Sequence, residues 1–237
     1  MRMGRFTVGY KSSYTKIDPW TDHILQARQS GQQGASNLNS NYFNYAVEYT
    51  TPKFNGIEFN AHYSVLSDES NDSLHNSGKL KDFKGGDASG FGVKYSKSGL
   101  RLTADMVSIN SENDPGETDA SKATNGSAWH VTGQYKFDSG TTLAGHYEDA
   151  SDLHLGNNIF AIVSQKIGKN GLVTASYGRN EGATDNVYGE EDSHTYNIGA
   201  KYKLTKKSAL IAGYSHHERD DKDAQTITLG IDAKFGY

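Results

Sequence analysis

The sequence predicts an all-β fold: a transmembrane, antiparallel, up-and-down β-barrel with twelve strands in this chain. Three observations predict it. Apolar and polar side chains alternate along segment after segment. The connections between these segments alternate between short and long. Aromatic rings collect near both ends of the apolar faces.

Composition bounds the answer first. The chain has 237 residues, with 24 Lys plus Arg, 28 Asp plus Glu and a net charge of −4. That balance excludes a nucleic-acid binder driven by bulk charge. Cysteine is absent, so there is no disulfide framework, thiolate metal site or Cys nucleophile. Mean hydropathy is −0.72, and no apolar run approaches the roughly 18–20 residues of a membrane helix. A strand that is apolar on one face only escapes that test, because averaging hides the face. At the N-terminus Met1–Arg5 is basic, but Phe6–Tyr10 is too short and polar for a signal h-region. The expectation is that a signal peptide is absent from this chain, either removed or belonging to a longer precursor.

Each strand follows from its period of two. Phe6, Val8 and Tyr10 flank Thr7 and Gly9. Phe43, Tyr45, Val47 and Tyr49 alternate with Asn44, Ala46 and Glu48. Ile57, Phe59, Ala61 and Tyr63 alternate with Glu58, Asn60, His62 and Ser64. Phe91, Val93 and Tyr95 face away from Gly92, Lys94 and Ser96. Leu102, Ala104 and Met106 oppose Thr103 and Asp105. Trp129, Val131, Gly133, Tyr135 and Phe137 oppose His130, Thr132, Gln134 and Lys136. Leu143, Gly145 and Tyr147 flank Ala144 and His146. Ile159–Ile167 is a strand whose polar side is blurred by Phe160 and Ile162. Val173, Ala175 and Tyr177 alternate with Thr174, Ser176 and Gly178. Tyr196, Ile198, Ala200, Tyr202 and Leu204 alternate with Asn197, Gly199, Lys201 and Lys203. Leu210, Ala212 and Tyr214 flank Gly213. Ile227, Leu229, Ile231, Ala233, Phe235 and Tyr237 share the outer face of the last strand.

Short turns lie at Thr51–Gly56, Lys97–Gly99, Asp138–Thr141, Gly168–Asn170 and Thr205–Lys207, rich in Gly, Ser, Asn and Lys as tight hairpins require. Longer polar segments lie at Lys11–Asn41, Ser67–Ser89, Asn110–Ser127, Glu148–Asn158, Arg179–His194 and His217–Gln225. All long loops then fall at one end of a meander. Strands leaving a short turn end in an outward Tyr: Tyr63, Tyr147, Tyr177, Tyr214 and Tyr10. Strands arriving at one carry Tyr49, Tyr95, Tyr135 with Phe137, Tyr202, or Phe235 with Tyr237. Two belts of rings suit two bilayer interfaces. A soluble sandwich would bury its large residues mid-strand instead.

The other face carries Glu48, Glu58, His62, Lys94, Asp105, His130, Lys136, His146, Lys166, Lys201, Lys203, Asp232 and Lys234. Burying so many charges without water would cost several kcal/mol each, so a wet lumen is expected. Eight strands give a filled interior and sixteen to eighteen an open channel. Twelve sits between, and the first and last strands are antiparallel, which allows closure.

Residues 41–64, NYFNYAVEYTTPKFNGIEFNAHYS, resemble the hairpin that follows the constriction loop of Gram-negative general porins. GRFTVGY resembles their fifth strand, Ile17-Asp18-Pro19-Trp20 the start of that loop, and the aromatic C-terminal strand their last one. The resemblance covers essentially the whole chain. It implies that the twelve strands are the fifth to sixteenth of a sixteen-stranded barrel. It implies a single domain over 1–237, with 11–41 as the inward-folded constriction loop. Within it, His23–Arg28 reads as one or two helical turns, with Ile24 and Leu25 packed on the wall. The loop residues Lys16, Asp18, Asp22 and Arg28 would set a transverse field against the wall. The expected pore lining is Arg5, Lys11, Glu48, Glu58, His62, Lys94, Asp105, Lys136, Lys166, Lys201, Lys203, Asp232 and Lys234. The plainer reading of Lys11–Asn41 is a surface loop with ordinary charges.

The implied partners are the lipid bilayer, lipopolysaccharide, ions, small hydrophilic solutes, and the barrel-assembly machinery that reads the C-terminal strand. A homotrimer stays open, because family trimers pack largely through the strands missing here. The implied location is the bacterial outer membrane.

Other chemistries are set aside. Adjacent His216 and His217 point to opposite faces and cannot share one ion, and His154 reads as a solvated loop residue. The acidic stretches Glu112–Asp119 and Glu181–Asp192 lack EF-hand spacing. Glu48 and Glu58, on neighbouring strands, hint at an acid/base pair. Porin walls carry such charges routinely, so no enzyme is expected, nor any nucleic-acid partner, metal or cofactor. The expected function is passive diffusion through a water-filled channel. The alternative is a non-conducting barrel scaffold whose long loops bind a partner or surface.

Overall fold

A computed structural model describes residues 1–21, 23, 25–26, 34–40, 42–65, 86–110, 125–153, 155–182, 192–219 and 222–234. They form one twelve-stranded sheet in which every strand pairs with its neighbour in sequence. The strands are β1 (Arg2–Phe6), β2 (Phe43–Thr50), β3 (Ile57–Val65), β4 (Asp87–Lys97), β5 (Leu100–Asn110) and β6 (Gly126–Lys136), followed by β7 (Thr141–Asp149), β8 (Asn157–Ile167), β9 (Gly171–Glu181), β10 (Ser193–Lys203), β11 (Ser208–Arg219) and β12 (Lys222–Ala233). All pairs are antiparallel. The sheet is an open meander with β1 and β12 at its edges, and no pairing joins them among the described residues.

The two faces sort as the alternation predicts. Phe59, Phe91, Leu102, Val131, Leu143, Val163, Val173, Ile198, Leu210 and Leu229 stand exposed on the outside. Ile198 is 60% exposed although β10 is paired on both sides. A greasy side chain in the middle of a doubly paired strand, turned outward, needs lipid rather than water. Outward rings meet in cross-strand pairs. Trp129 lies 5.3 Å from Tyr147 and Tyr177 5.2 Å from Tyr196 near the long-loop end; along a single strand end, Tyr135 lies 4.6 Å from Phe137 near the short-turn end.

The short turns are where the glycines put them. Ser98 and Gly99 both have positive φ, 50° and 83°, the pair a two-residue type I′ hairpin demands.

Three expectations are corrected. The first strand does not run to Tyr10. It stops at Phe6, and Gly9–Tyr14 forms helix α1. Tyr10 is therefore buried rather than part of an outer belt. Phe43 points inward and not outward. Tyr45 adopts φ 46°, and the register steps from Gly4↔Ala46 to Phe6↔Phe43, so β2 holds one extra residue there. That bulge reverses the side of every residue before it. His217–Gln225 is not a long loop, because β11 runs to Arg219 and β12 begins at Lys222. The helical turns expected at His23–Arg28 fall largely outside the described residues; the Gln26 N–H donates to the His23 carbonyl at 3.0 Å.

Candidate functional site

The inner face is a set of cross-strand rows. One row runs Asn60, Gly92, Asp105, His130, Glu148, Asn158, Asn180 and Ser193 across eight strands, each residue directly opposite the next. The described residues of the segment 8–40 lie against this face. Val8, Tyr10 and Leu38 pack with Phe43, Ala46, Val107, Ile109 and Leu153. Tyr14, Ile17, Trp20, Leu25 and Ala35 pack with Phe160, Ile162 and Ile211. A segment with this many buried apolar residues gains more by covering a wall than by lying in water.

Polar contacts anchor it. The Gly9 N–H donates to Glu48 Oε2 at 2.8 Å, and Arg2 pairs with Glu48 Oε1 at 2.6 Å. The Tyr10 hydroxyl donates to Glu148 Oε1 at 2.7 Å. Ser36 Oγ and Asn39 Nδ2 donate to the same oxygen at 2.8 and 2.9 Å, and Ser36 N–H donates to Oε2 at 2.7 Å. Burial first, and then the Glu148 charge, push the Tyr10 phenol well above its ordinary range. The Trp20 indole N–H donates to Thr174 Oγ1 at 2.8 Å. Its ring lies where a Cβ on Gly199 would stand, and Leu25 occupies the same space at Gly213. These two inward glycines make the socket.

The expected site residues divide into two groups. Glu48, His62 and Asp105 beneath the segment, and Lys11 on it, are buried. Asp105 Oδ2 meets His130 Nε2 at 3.2 Å, His62 packs on Phe43 at 5.4 Å, and Lys11 lies 4.0 Å over the Tyr42 ring, with exposed Arg5 5.5 Å from that ring. Asp18 is buried too. Its carboxylate accepts from the Trp20 N–H at 2.9 Å and the Tyr14 hydroxyl at 3.3 Å, so it closes the segment's own turn. Half-buried Lys94 donates to Ser12 Oγ at 3.3 Å and stands opposite Glu58. Glu48 stands opposite His62 and Glu58 opposite Lys94, so the two carboxylates lie on different cross-strand rows.

The second group is open. Lys16, Lys136 and Lys166 share a cavity of about 280 Å³ at the short-turn end. Lys201, Lys203 and Lys234 share one of about 460 Å³ with Lys206, Lys207 and Asp232. Lys201 Nζ donates to Asp232 Oδ2 at 2.5 Å, and His23 Nε2 comes within 3.9 Å of that carboxylate. The segment thus reaches across to the last strand. Asp22, Ile24, Arg28, His154, Phe235, Tyr237 and the stretch Glu112–Asp119 lie outside the described residues. Of the other acidic stretch, Glu181 pairs with Arg179 and Asp192 accepts the Gly182 N–H at 3.0 Å. His216 meets Glu218 and His217 meets Thr195, so the two imidazoles do not share a partner.

An interior of polar and charged side chains behind an outer face of lipid-type side chains is the pattern of a membrane channel wall. A family model of Gram-negative porins matches residues 2–222. The chain belongs to the Gram-negative porin family. It is an outer-membrane β-barrel channel protein by family, and solved porins share its fold. An anion-selective porin from Comamonas acidovorans superposes with TM-score 0.66 at 20% identity, over 98% of this chain and 68% of that one. OmpF of Salmonella typhi gives 0.67 at 16%, over 97% and 72%. An OmpT loop-deletion mutant of Vibrio cholerae gives 0.63 at 14%, over 98% and 74%. A comparison with curated protein sequences finds no match.

Sequence reasoning missed Glu148, the hub of this porin's inner wall. The signal was present: Glu148 is two residues beyond inward His146. The acidic run Glu148, Asp149 and Asp152 reads as a loop, whereas β7 continues to Asp149.

Proposed function

We propose that this porin forms a water-filled channel for passive diffusion of ions and small hydrophilic solutes, with residues 11–41 as its constriction loop. The open path runs between that loop and the inner faces of β10–β12. The observation that carries this reading is the division of charged residues. Those under residues 8–40 are buried and partnered, and those at the short-turn end of β10–β12 are open to solvent. Lys16, Lys136 and Lys166 line a second open cavity, and together with Lys201, Lys203 and Lys234 they outnumber Asp232, so the path favours anions. His23, Asp232 and Lys201 meet beside that path. No reaction is catalysed.

The twelve strands read best as the fifth to sixteenth of a sixteen-stranded porin. Matches that cover 68–74% of the similar chains agree with that share. One similar structure, OmpT of Vibrio cholerae at TM-score 0.56 and 14% identity, is a trimer form, and a trimer is the assembly proposed here. Insertion is expected to use the assembly machinery's reading of the last strand, with lipopolysaccharide at the long-loop rim.

Planar-bilayer recording tests the channel. Discrete steps with a reversal potential on the anion side in a salt gradient support it. A refolded, inserted protein that stays silent favours the non-conducting scaffold. Heat-modifiable gel mobility tests closure: a shift on boiling is expected of a closed barrel.

A further inference from the structure

His130 and His146 do not fit a simple hydrogen-bonded wall. His130 on β6 stands opposite Glu148 on β7, and His146 lies two residues back on the same face of β7. All three side chains are fully buried. Such a group is expected to be satisfied throughout. Yet among the described residues neither nitrogen of His146 has a hydrogen-bond partner, and His130 Nδ1 has none either. Glu148 Oε1 takes three donors, whereas Oε2 takes only the Ser36 N–H among the described hydrogen bonds and faces His146 Nε2 at 3.8 Å. That gap is too long for a hydrogen bond.

It suits a cation between the two atoms. One donor atom from each of His130, His146 and Glu148 lies within 4.8 Å of the others. Bonds of about 2.0–2.2 Å at a tetrahedral angle hold donors roughly 3.4 Å apart, so modest ring rotation closes the set. The remaining parts of a metal site are also present. His130 Nε2 meets Asp105, the carboxylate–imidazole contact that fixes a ligand's tautomer and frees Nδ1. The Tyr10 ring lies 4.1 Å from that of His130, and the Tyr14 ring 4.9 Å from that of His146, so water is excluded.

We propose that His130, His146 and Glu148 bind one divalent transition-metal ion of the zinc class, and that this ion fastens α1 and residues 36–39 to the wall at β6 and β7. Two imidazoles and one carboxylate select zinc or a similar borderline ion over calcium or magnesium. Because α1 and residues 36–39 cover the site, the ion enters during folding.

The test is refolding of the whole chain with zinc sulfate, with calcium chloride, or with chelator, followed by desalting and elemental analysis. One retained zinc per chain is expected, with no retained calcium and a higher melting temperature with zinc. His146→Gln, which removes no hydrogen bond seen here, should lose the metal. A His216→Ala/His217→Ala variant should keep it. No retained zinc overturns the proposal, as does zinc that survives His146→Gln. Should His146→Gln fail to fold, cobalt refolded into the unaltered chain decides. Intense tetrahedral d–d bands support the site, and the weak bands of the hydrated ion overturn it. Loss of conductance plays no part in this reading, so the channel and the metal site fail separately.

Discussion

Two stretches of the same inner wall obey one sequence rule and end in opposite environments. On β5–β7, Asp105, His130 and Glu148 lie beneath α1 and residues 36–39, sealed and partnered. On β10 and β12, Lys201, Lys203 and Lys234 line an open cavity. Both sets are inward and polar. Periodicity fixes the side of the sheet, and what covers that side decides whether water reaches it. A wet lumen along the whole wall is therefore not what this porin has. Its charges on β5–β7 are held by hydrogen bonds from the covering segment.

Removal of a sealed charge should cost most. Glu148→Ala leaves the Tyr10 hydroxyl, Ser36 and Asn39 as buried donors without an acceptor. The expected loss is about 3–5 kcal/mol, read from the urea midpoint of the refolded protein in detergent. An unchanged midpoint would show that the segment is not fastened there, and the contrast between the two stretches would collapse.

Much of this was legible beforehand. Twelve strands and their facing follow from alternation, which is local. Tyr10 was not legible, because its alternation with Phe6 and Val8 is intact. The chain turns into α1 since the Gly9 N–H finds Glu48 and Val8 finds the core, both distant in sequence. Phe43 was hidden by a one-residue bulge that no local pattern reveals. The β11–β12 hairpin was hidden because His217–Gln225 is polar on both faces. The socket at Gly199 and Gly213 becomes readable only once register sets those glycines side by side.

The outer face sharpens the comparison next. Ile198→Lys places a cation against acyl chains and should cost about 2–4 kcal/mol if it sits at mid-bilayer. Thr228→Lys, on the inner face of edge strand β12, should cost well under that. Equal losses would mean that the two faces of the sheet meet the same solvent. Trp20→Phe is milder. It keeps the ring in the glycine socket and removes only the donor to Thr174, about 0.5–1.5 kcal/mol. The fastened segment should then fluctuate more, seen as noisier open-channel current at unchanged mean conductance.

The smallest energetic effect carries the clearest functional signal. Lys203→Glu changes an exposed side chain and should leave stability within about 0.5 kcal/mol. In a potassium chloride gradient it should nevertheless move the reversal potential toward cations, and the shift should shrink in high salt as screening sets in. Asp105→Asn is the counterpart. It removes a charge under the segment, so it should lower stability and leave the reversal potential where it was. If Asp105→Asn moves the potential and Lys203→Glu does not, ions pass on the covered side, and the segment would have to leave the wall for the channel to conduct.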